Sequence, residues 1–273
     1  LRRQRQMCIR DRVMHHLRKI TWGPRGILPI FIPNPLLIDG TIKMYWPPEM
    51  NVIQFALGNY EKETHLLIKK ILHQGMVFVD VGASIGYYTL LAADLVGRTG
   101  KVYAFEPQPW LCEVLRKSIH ANSYDNVVTI IEKAVSNRQG STSLFLSEPG
   151  DGEASLYKIK KKPQSVVVET VTLDDFFQKE GWPTVHALKM DIEGAEKTAL
   201  EGARTLFKKN PQLKLIMEFD KGKLIAAGVE PRELMKTLSQ IGFSKIYAIK
   251  ETLIPLVDLN RLPFDHVNLF CER

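Results

Sequence analysis

One strand–loop–helix segment constrains this chain more than any other feature. Residues 76–81 are an apolar run interrupted only by Asp80, and a loop of small residues, 82–86, follows directly. The next residues, 87–93, can begin a helix. In α/β proteins this arrangement presents a helix N-terminus and bare backbone amides to a ligand. The segment therefore predicts an α/β fold with a ligand pocket at the carboxyl end of this strand.

The spacing of the glycines indicates which ligand the pocket prefers. A dinucleotide fingerprint requires G-x-G-x-x-G, whereas Gly82 and Gly86 enclose three residues. Asp80 would repel a pyrophosphate but suits a ligand that carries an amino group or a positive charge. About twenty residues later, the apolar run 101–105 ends in Glu106, where nucleotide-binding α/β folds have an acid that binds ribose hydroxyls. A nicotinamide-dependent oxidoreductase is an alternative that the glycine spacing and Asp80 both disfavour.

A third polar cluster follows another predicted strand. Alternate side chains of an extended strand share a face, so Lys189, Asp191 and Glu193 are expected to point the same way. They lie at the strand's carboxyl end, where open α/β sheets bind ligands. Glu193 and Glu196 also have a structural interpretation, because acids favour the N-terminus of the helix that follows. Glu218 ends the next predicted strand and is expected beside the same rim.

From residue 76 onward the pattern alternates between strands and helices. Such alternation predicts a mostly parallel sheet with helices on both faces, and one antiparallel strand is expected near its end. Residues 76–273 are thus predicted to form one domain with a variable insert near 147–165. The predicted strands are 76–81, 101–105, 127–131, 143–146, 166–171, 185–190, 213–219, 243–249 and 267–271. The predicted helices of this part are the one that begins at 87–93 and those over 109–121, 173–177, 195–208 and 231–240.

Residues 13–75 are predicted to form a lead-in that contains a helix and a hairpin. Residues 13–20 predict a short basic helix, and residues 61–72 carry apolar side chains at helical spacing. Residues 36–46 predict a β-hairpin, because the Asp-Gly pair at 39–40 is a strong turn signal.

The net charge of +7 is concentrated at one end of the chain. Residues 1–25 hold eight basic residues and one acidic residue, an excess equal to the whole net charge. The remaining chain is neutral, which excludes a general basic surface for nucleic acid. Residues 1–12 also resemble a read-through peptide of assembled metagenomic genes, so a bacterial gene is expected and this arm is left out of the fold. A basic arm that touches anionic lipid or RNA is the alternative.

The chain is expected to be cytoplasmic. No run reaches the roughly 18 apolar residues of a membrane-spanning helix. The nearest run, 27–38, contains three prolines, which leaves only weak peripheral membrane contact open. The three widely spaced cysteines, Cys8, Cys112 and Cys271, lack metal-ligand spacing and favour reduced thiols. Nothing in the pattern indicates an oligomeric state.

Four motifs follow one another along the chain. They are Asp80-x-Gly82-Ala83-Ser84-x-Gly86, Phe105-Glu106-Pro107, Thr172-Leu173-Asp174-Asp175 and Lys189-Met190-Asp191-Ile192-Glu193-Gly194-Ala195-Glu196. In this order they resemble the FkbM family of S-adenosylmethionine-dependent class I methyltransferases, and residues 58–61 are similar to its lead-in motif. The resemblance covers roughly residues 36–270. Ser84 departs from it, because the family often has asparagine there.

The resemblance implies a Rossmann-like, seven-stranded class I fold with S-adenosylmethionine as the cofactor. The methionine part of the cofactor would lie against Asp80, Gly82, Ala83, Ser84 and Gly86. The ribose would bind Glu106 beside Pro107, the adenine would lie along Ala134, and Glu61 of the lead-in motif joins the cofactor-binding set.

The implied reaction is methyl transfer, most often to a hydroxyl of a sugar, a lipid-linked glycan or a secondary metabolite. A hydroxyl is weakly acidic and benefits from a base within hydrogen-bond reach. Asp191 or Glu193 is the candidate base, and Lys189 would act on these carboxylates electrostatically. Glu218 is a second candidate base. A metal on Asp191 and Glu193 is disfavoured, because no matching third ligand is evident. N-methyl transfer and a non-catalytic cofactor-binding protein are the alternatives.

Overall fold

The computed structural model describes residues 17–21, 27–48, 50–146, 154–157, 164–257 and 263–273. Its strands are β1 Leu17–Thr21, β2 Ile27–Phe31, β3 Leu36–Ile38, β4 Ile42–Met44, β5 Val77–Val81, β6 Lys101–Phe105, β7 Val128–Ile131, β8 Ala134–Val135, β9 Gly140–Leu146, β10 Ala154–Ser155, β11 Gln164–Val171, β12 Ala187–Met190, β13 Lys214–Asp220, β14 Lys245–Ile249, β15 Leu253–Pro255 and β16 His266–Glu272. Its helices are α1 Ile53–Ala56, α2 Lys62–Ile71, α3 Tyr87–Val96, α4 Pro109–Ala121, α5 Leu173–Lys179, α6 Glu196–Glu201, α7 Arg204–Lys209, α8 Lys221–Ala226 and α9 Pro231–Ile241. None of the helices in these ranges is long and apolar enough to cross a membrane.

The central sheet has the strand order β15-β14-β16-β13-β12-β5-β6-β7. The run from β13 to β7 is parallel throughout, whereas β16 is antiparallel to both of its neighbours. The predicted α/β fold, a mostly parallel sheet with an antiparallel strand, is confirmed. The structure adds a short eighth strand, β15, at one edge, where Pro255 is tolerated because an edge strand has one unpaired side.

The order of the strands places the pocket. From β5 the chain builds outward through β6 and β7, and then returns to add β12 and β13 on the opposite side. The carboxyl ends of β5 and β12 therefore flank a topological switch point, where open α/β sheets bind ligands. The register pairs Asp80 with Lys189 across these two strands, so the first and fourth motifs are neighbours in space.

Buried apolar residues cover both faces of the sheet. Phe78 packs into a core on one face, whereas Val79 and Val81 pack into a core on the other, as the alternation of a strand requires. The lead-in belongs to the first of these cores, since Met44 and Trp46 are buried in it. The hairpin is also hydrogen-bonded to α4, for example from the Tyr45 N–H to the Ser118 hydroxyl at 2.9 Å.

The lead-in confirms two predicted elements and corrects a third. The hairpin is formed by β3 and β4, with positive φ at both residues of the Asp39-Gly40 turn, and α2 is the predicted helix over 61–72. The predicted basic helix is wrong over residues 17–20, which form β1 and pair with the apolar strand β2. Pairing with a distant segment outweighs local helix propensity here. Residues 13–16 lie outside the described residues.

The region of the predicted insert belongs to a second, smaller sheet with the order β10-β9-β11-β8. The predicted strands over 143–146 and 166–171 are confirmed as the antiparallel pair β9 and β11. Of the residues between them, β10 pairs with β9, and residues 147–153 and 158–163 lie outside the description. This sheet borders the pocket, because β8 carries Ala134, which lines it.

The predicted helix over 195–208 is wrong in its length, because α6 and α7 are separate helices. A side chain at Gly202 would approach the Ser136 carbonyl oxygen to 2.2 Å, so only glycine fits where α6 ends. The Asp174 carboxylate then accepts hydrogen bonds from the first N–H groups of α7, at Thr205 and Leu206. Asp174 of the third motif is therefore a capping residue.

Candidate active site

A cavity of about 660 Å³ opens at the carboxyl ends of the parallel strands. Its size lies in the range that is typical of small-molecule and cofactor sites. Twelve of the thirteen predicted site residues line it: Glu61, Asp80, Gly82, Ala83, Ser84, Glu106, Pro107, Ala134, Lys189, Asp191, Glu193 and Glu218. Gly86 is the exception. It precedes α3, and a side chain there would meet the Leu115 side chain at 2.2 Å.

The cavity has two parts, which we name by their residues. The glycine-loop half consists of residues 80–85, 106–108 and 133–135. The acidic half consists of Glu61, Lys189, Asp191, Glu193, Glu218 and Lys223.

The two halves touch at Gly82. Its φ is +87°, and a side chain built there would lie 2.0 Å from the Asp191 carbonyl oxygen. Glycine is therefore required both by the left-handed backbone and by the close approach of the β12 end. The N–H groups of Gly82 and Ala83 both donate to the Phe105 carbonyl oxygen at 3.0 Å, which fixes the loop against β6.

Glu106 is held by backbone amides within the glycine-loop half. Its two carboxylate oxygens accept hydrogen bonds from the N–H groups of Ser84 and Gln108, each at 2.9 Å. The side chain is almost fully buried. Burial raises the pKa of Glu106 to about 7, against the opposing effect of the two N–H groups.

Asp80 is almost fully buried in the glycine-loop half. The Thr89 hydroxyl of α3 donates a hydrogen bond of 2.6 Å to its carboxylate. Burial raises the pKa of Asp80, and Lys189 and the Thr89 hydroxyl act in the opposite direction. Asp80 thus joins the strand, the helix and the acidic half, in addition to lining the cavity.

Lys189 and Asp191 form a buried ion pair in the acidic half. The Lys189 ammonium lies 2.9 Å from Asp191 Oδ2 and 4.7 Å above the centre of the Tyr88 ring. Burial acts to lower the pKa of Lys189, but the carboxylates of Asp191 and Glu61 outweigh it and raise this pKa above its ordinary value. Burial acts to raise the pKa of Asp191, but Lys189 outweighs it, and the pKa of Asp191 is lowered.

Lys223 bridges the other two carboxylates of the acidic half. Its ammonium contacts Glu193 and lies 3.1 and 3.2 Å from the two oxygens of Glu218. His266 Nδ1 approaches Glu218 at 3.6 Å and Asp220 at 3.2 Å. Burial, together with the carboxylates of Asp191 and Glu193, raises the pKa of Glu218 to about 9.

Glu196 supports the acidic half from behind. Its Oε1 accepts hydrogen bonds from the N–H groups of Ile192 and Gly194, at 3.1 and 3.2 Å. These bonds hold a turn in which Glu193 and Gly194 both have positive φ. Burial raises the pKa of Glu196 to about 7. The contacts of Glu196 agree with the structural interpretation of this residue.

The acidic half corrects one argument about metal ions. The sequence offered no third ligand beside Asp191 and Glu193, yet Glu218 supplies one, and oxygens of all three lie within 4.8 Å of one another. The carboxylates already bind the ammonium groups of Lys189 and Lys223, however, which compete with a cation for the same oxygens. The cluster is consequently an ion-pair network of three carboxylates and two lysines.

The lead-in closes the cavity with Glu61 and a group of rings. Glu61 has a φ of +39°, and its Oε2 accepts hydrogen bonds from the Tyr88 hydroxyl at 2.7 Å and from Asn268 Nδ2 at 2.8 Å. We name the rings of Phe55, Tyr60, Tyr87 and Tyr88, which all line the cavity, the aromatic wall.

Five contributors to the site were missed at the level of sequence: Tyr60, Tyr88, Lys223, His266 and Asn268. Tyr88 stands two residues after the glycine loop, so its position was a usable signal. Of the other four, His266 and Asn268 share β16, whereas Tyr60 and Lys223 lie in two distant segments, and only the fold brings these segments together.

A comparison with protein families decides the identity of the chain. Residues 80–245 match the family model described as the methyltransferase FkbM domain, which is more than half of the chain. The chain belongs to the FkbM methyltransferase family. The predicted family and the predicted cofactor, S-adenosylmethionine, are confirmed.

Curated relatives and solved structures add similarities of lower coverage. A protein-L-isoaspartate O-methyltransferase of Methanothrix thermoacetophila is 38% identical over 60 residues, which span 22% of this chain and 29% of that protein. The chain thus matches less than a third of that relative's length. The hexuronic acid methyltransferase AglP of Haloferax volcanii is 24% identical over 184 residues, 67% of this chain and 70% of that protein.

Among solved structures, the FkbM methyltransferase of Methylobacillus flagellatus has a TM-score of 0.46 at 16% identity and covers 81% of this chain and 52% of its own. A Streptococcus mutans methyltransferase in complex with S-adenosylhomocysteine has a TM-score of 0.46 at 12% identity. The match covers 78% of this chain and 97% of that structure.

Proposed function

We propose that this FkbM methyltransferase transfers the methyl group of S-adenosylmethionine to a hydroxyl of a sugar, a lipid-linked glycan or a secondary metabolite. The observation that carries this proposal is the direct contact of the glycine-loop half and the acidic half at Gly82. Through this contact, carboxylates that can accept a proton lie beside the loop assigned to the methyl donor. The similarity to a hexuronic acid methyltransferase supports a sugar acceptor.

The glycine-loop half fits the cofactor. Each oxygen of Glu106 accepts one backbone N–H and keeps a lone pair for a ribose hydroxyl. Residues 82–84 provide a narrow backbone cradle for the methionine part, and the carboxylates of Asp80 and Glu61 suit its amino group. Pro107 and Ala134 line the side assigned to the adenine. When bound, the cofactor supplies a methyl group on a positively charged sulfur, which already activates it for transfer.

The residues of the acidic half have to orient the acceptor hydroxyl and receive its proton. Placement of reacting groups and exclusion of water are the main contributions a protein makes to such a step. A base within hydrogen-bond reach adds to them. Asp191, Glu193 and Glu218 all line the cavity, so each is a candidate for this base.

Among the three, Glu218 has the best-supported claim to be the base. Lys189 lowers the pKa of Asp191, which makes that carboxylate a weak base. Glu193 is held by Lys223 and has a strained left-handed backbone, which suits a positioning role. Burial and its neighbours raise the pKa of Glu218 to about 9, so its carboxylate binds a proton more strongly than an ordinary one.

The reaction is tested with methyl-labelled S-adenosylmethionine and a panel of hydroxyl and amine acceptors. We expect S-adenosylhomocysteine to accumulate in proportion to a methyl ether on a hydroxyl acceptor, measured by mass spectrometry. A methylated amine as the only product would contradict O-methylation. Cofactor binding without turnover on any acceptor would support a binding protein instead.

The base is tested by the amide variants Asp191→Asn, Glu193→Gln and Glu218→Gln. We expect Glu218→Gln to lower kcat/KM by about a hundredfold, since general base catalysis contributes at least this much. A base acts in its unprotonated form, so kcat/KM of the wild type should rise with pH up to about 9 and then level off. Wild-type turnover in Glu218→Gln, with cofactor binding intact, would refute the assignment.

We also infer a cytoplasmic location, as the sequence predicts. Cys112 and Cys271 are buried free thiols, which suits a reducing compartment. Fractionation of cells that express the full chain, with detection in the cytoplasmic fraction, is the check.

A further inference from the structure

The aromatic wall is a rigid surface inside the cavity. The rings of Phe55 and Tyr60 are stacked with centroids 4.0 Å apart, and the edge of Tyr60 meets Tyr87 at 5.1 Å. The Tyr87 hydroxyl is hydrogen-bonded to His65 at 3.0 Å, and the Tyr88 hydroxyl donates to Glu61 at 2.7 Å. A ligand that lies against this wall therefore finds rings that are already fixed, which lowers the entropic cost of binding.

Tyr60 differs from its neighbours in the wall. Among the described residues its hydroxyl has no hydrogen-bond partner, although the hydroxyls of Tyr87 and Tyr88 both have one. Burial and the carboxylates of Glu61 and Asp191 raise its pKa well above the ordinary value, so the hydroxyl is neutral. Tyr60 thus offers a ring and a free hydroxyl next to the acidic half.

The wall and the acidic half together suit one kind of acceptor. A sugar ring has an apolar face of C–H groups and an edge of hydroxyls. Aromatic rings provide contact for the apolar face, as they do in most ligand pockets. Carboxylates, which only accept hydrogen bonds when ionised, match hydroxyls, which can donate them.

The charges of the cavity argue against an acidic acceptor. Every cationic side chain that lines it among the described residues already contacts a carboxylate. Lys133 binds Glu169 at 2.7 Å and Lys189 binds Asp191 at 2.9 Å. Lys223 is held by Glu193 and Glu218, and His266 by Asp220. A carboxylate or phosphate on the acceptor would enter without a partner of its own and would face the ionised carboxylate of Asp191.

We propose that the aromatic wall binds the apolar face of the acceptor ring through Tyr60, and that the acceptor is an uncharged sugar rather than a sugar acid. This inference rests on the proposed methyl transfer to a sugar. It assigns specificity to Phe55 and Tyr60, which precede the matched family domain at residues 80–245.

The test uses the full chain saturated with S-adenosylhomocysteine. Binding of the methyl pyranosides of glucose, galactose and mannose is measured by ligand-detected NMR titration, beside the methyl glycosides of glucuronic and galacturonic acid. We expect at least one neutral pyranoside to bind, and its matched sugar acid to bind at least about tenfold more weakly, because unpaired charge is costly to bury.

Variants of Tyr60 connect this preference to the wall. We expect Tyr60→Ala to weaken binding of the neutral pyranoside by about tenfold, because one aromatic contact is lost. Tyr60→Phe should weaken this binding less. Tyr247→Ala is the matched control, since Tyr247 is also stacked on a ring, Phe270, but does not line the cavity.

The outcomes separate this inference from the proposed function. Binding of S-adenosylhomocysteine with no binding of any neutral pyranoside overturns the inference. A sugar acid that binds as tightly as its neutral counterpart, or Tyr60→Ala without effect, overturns it too. Failure of S-adenosylhomocysteine to bind, or methyl transfer only to an amine, contradicts the proposed function itself.

Discussion

The two halves of the cavity are built in different ways. The glycine-loop half is held by the backbone: amides of residues 82–84 and 108 bind Phe105 and the Glu106 carboxylate. The acidic half is held by side chains, with Lys189 and Lys223 placed between three carboxylates. A backbone cradle keeps its shape when side chains change, whereas an ion-pair network changes with each substitution.

The comparison explains why one half can bind a constant ligand and the other a variable one. Every residue of the glycine-loop half lies in β5 or β8 or in the loop residues next to β5, β6 and β8. The acidic half and the aromatic wall also use the lead-in and β16, which lie outside the matched domain at residues 80–245. Recognition of the acceptor can therefore diverge while the donor site is retained. The following predictions test this division, from the largest expected effect to the smallest.

The largest effect is expected at the contact between the halves. Gly82→Ala combines a left-handed backbone with a collision against the Asp191 carbonyl, and should destabilise the protein by about 4 kcal/mol. Gly228→Ala is the matched control, because Gly228 has a φ of +75° and open space around it. That variant should lose only about 1 kcal/mol. Urea denaturation measures both, and equal losses would show that the contact is unimportant.

A second effect is expected from the buried carboxylate behind the acidic half. The pKa of Glu196 is raised to about 7 in the folded protein, from an ordinary 4.5. Its contribution to stability is thus full below pH 4.5 and is lost as the pH rises to about 7, by up to about 3 kcal/mol. Glu196→Gln should lack this loss, so the stability difference between variant and wild type should change between pH 5 and 7. A difference that is independent of pH would contradict the assignment.

A third effect is expected on cofactor affinity, which should depend on the glycine-loop half and not on Glu218 of the acidic half. Glu106→Gln places an amide NH₂ against a backbone N–H donor. This variant should lower the affinity for S-adenosylhomocysteine by about thirtyfold, or roughly 2 kcal/mol. Glu218→Gln should leave this affinity within about twofold, because Glu218 is assigned to the acceptor. Isothermal titration calorimetry measures both. Similar losses in the two variants would mean that the division is wrong.

The smallest effect is expected where the lead-in meets the last strand. Asn268 Nδ2 donates to Glu61 and to Thr64, at 2.8 and 3.0 Å. Asn268→Ala should destabilise the protein by about 1 kcal/mol and increase hydrogen exchange in residues 50–61. Unchanged exchange in this segment would show that the contact does not hold the lead-in.

The elements of the fold were predictable where the pattern is local. The glycine loop, the acid at the end of β6 and the alternation of strands and helices all lie within short windows, and the structure has them within a few residues of the predicted bounds. The predicted position of the polar clusters at one rim also follows, because parallel strands end at one edge of a sheet. The predicted helix is wrong over residues 17–20, because this segment pairs with β2 and forms a strand.

The rest of the site depends on contacts between distant segments. Lys223 stands in α8, a short helix that begins at the Asp220 cap and has no periodic pattern. The break between α6 and α7 depends on the Ser136 carbonyl, which is far away in sequence. Tyr60 and Glu61 line the cavity where the lead-in meets β16, and Asn268 of β16 holds Glu61 there. A single sequence contains no local signal for such contacts.

The contact between Gly82 and the Asp191 carbonyl has a consequence for protein engineering. Chimeras that exchange acceptor preference between family members would join the first βα unit of one parent to the β12 end of another. The two backbones meet within van der Waals distance, so a small mismatch in the tilt of β12 would push the donor loop out of shape. Recombination points should therefore keep residues 80–86 and 189–194 from the same parent, and the exchanged blocks should be the lead-in and the carboxyl-terminal strands.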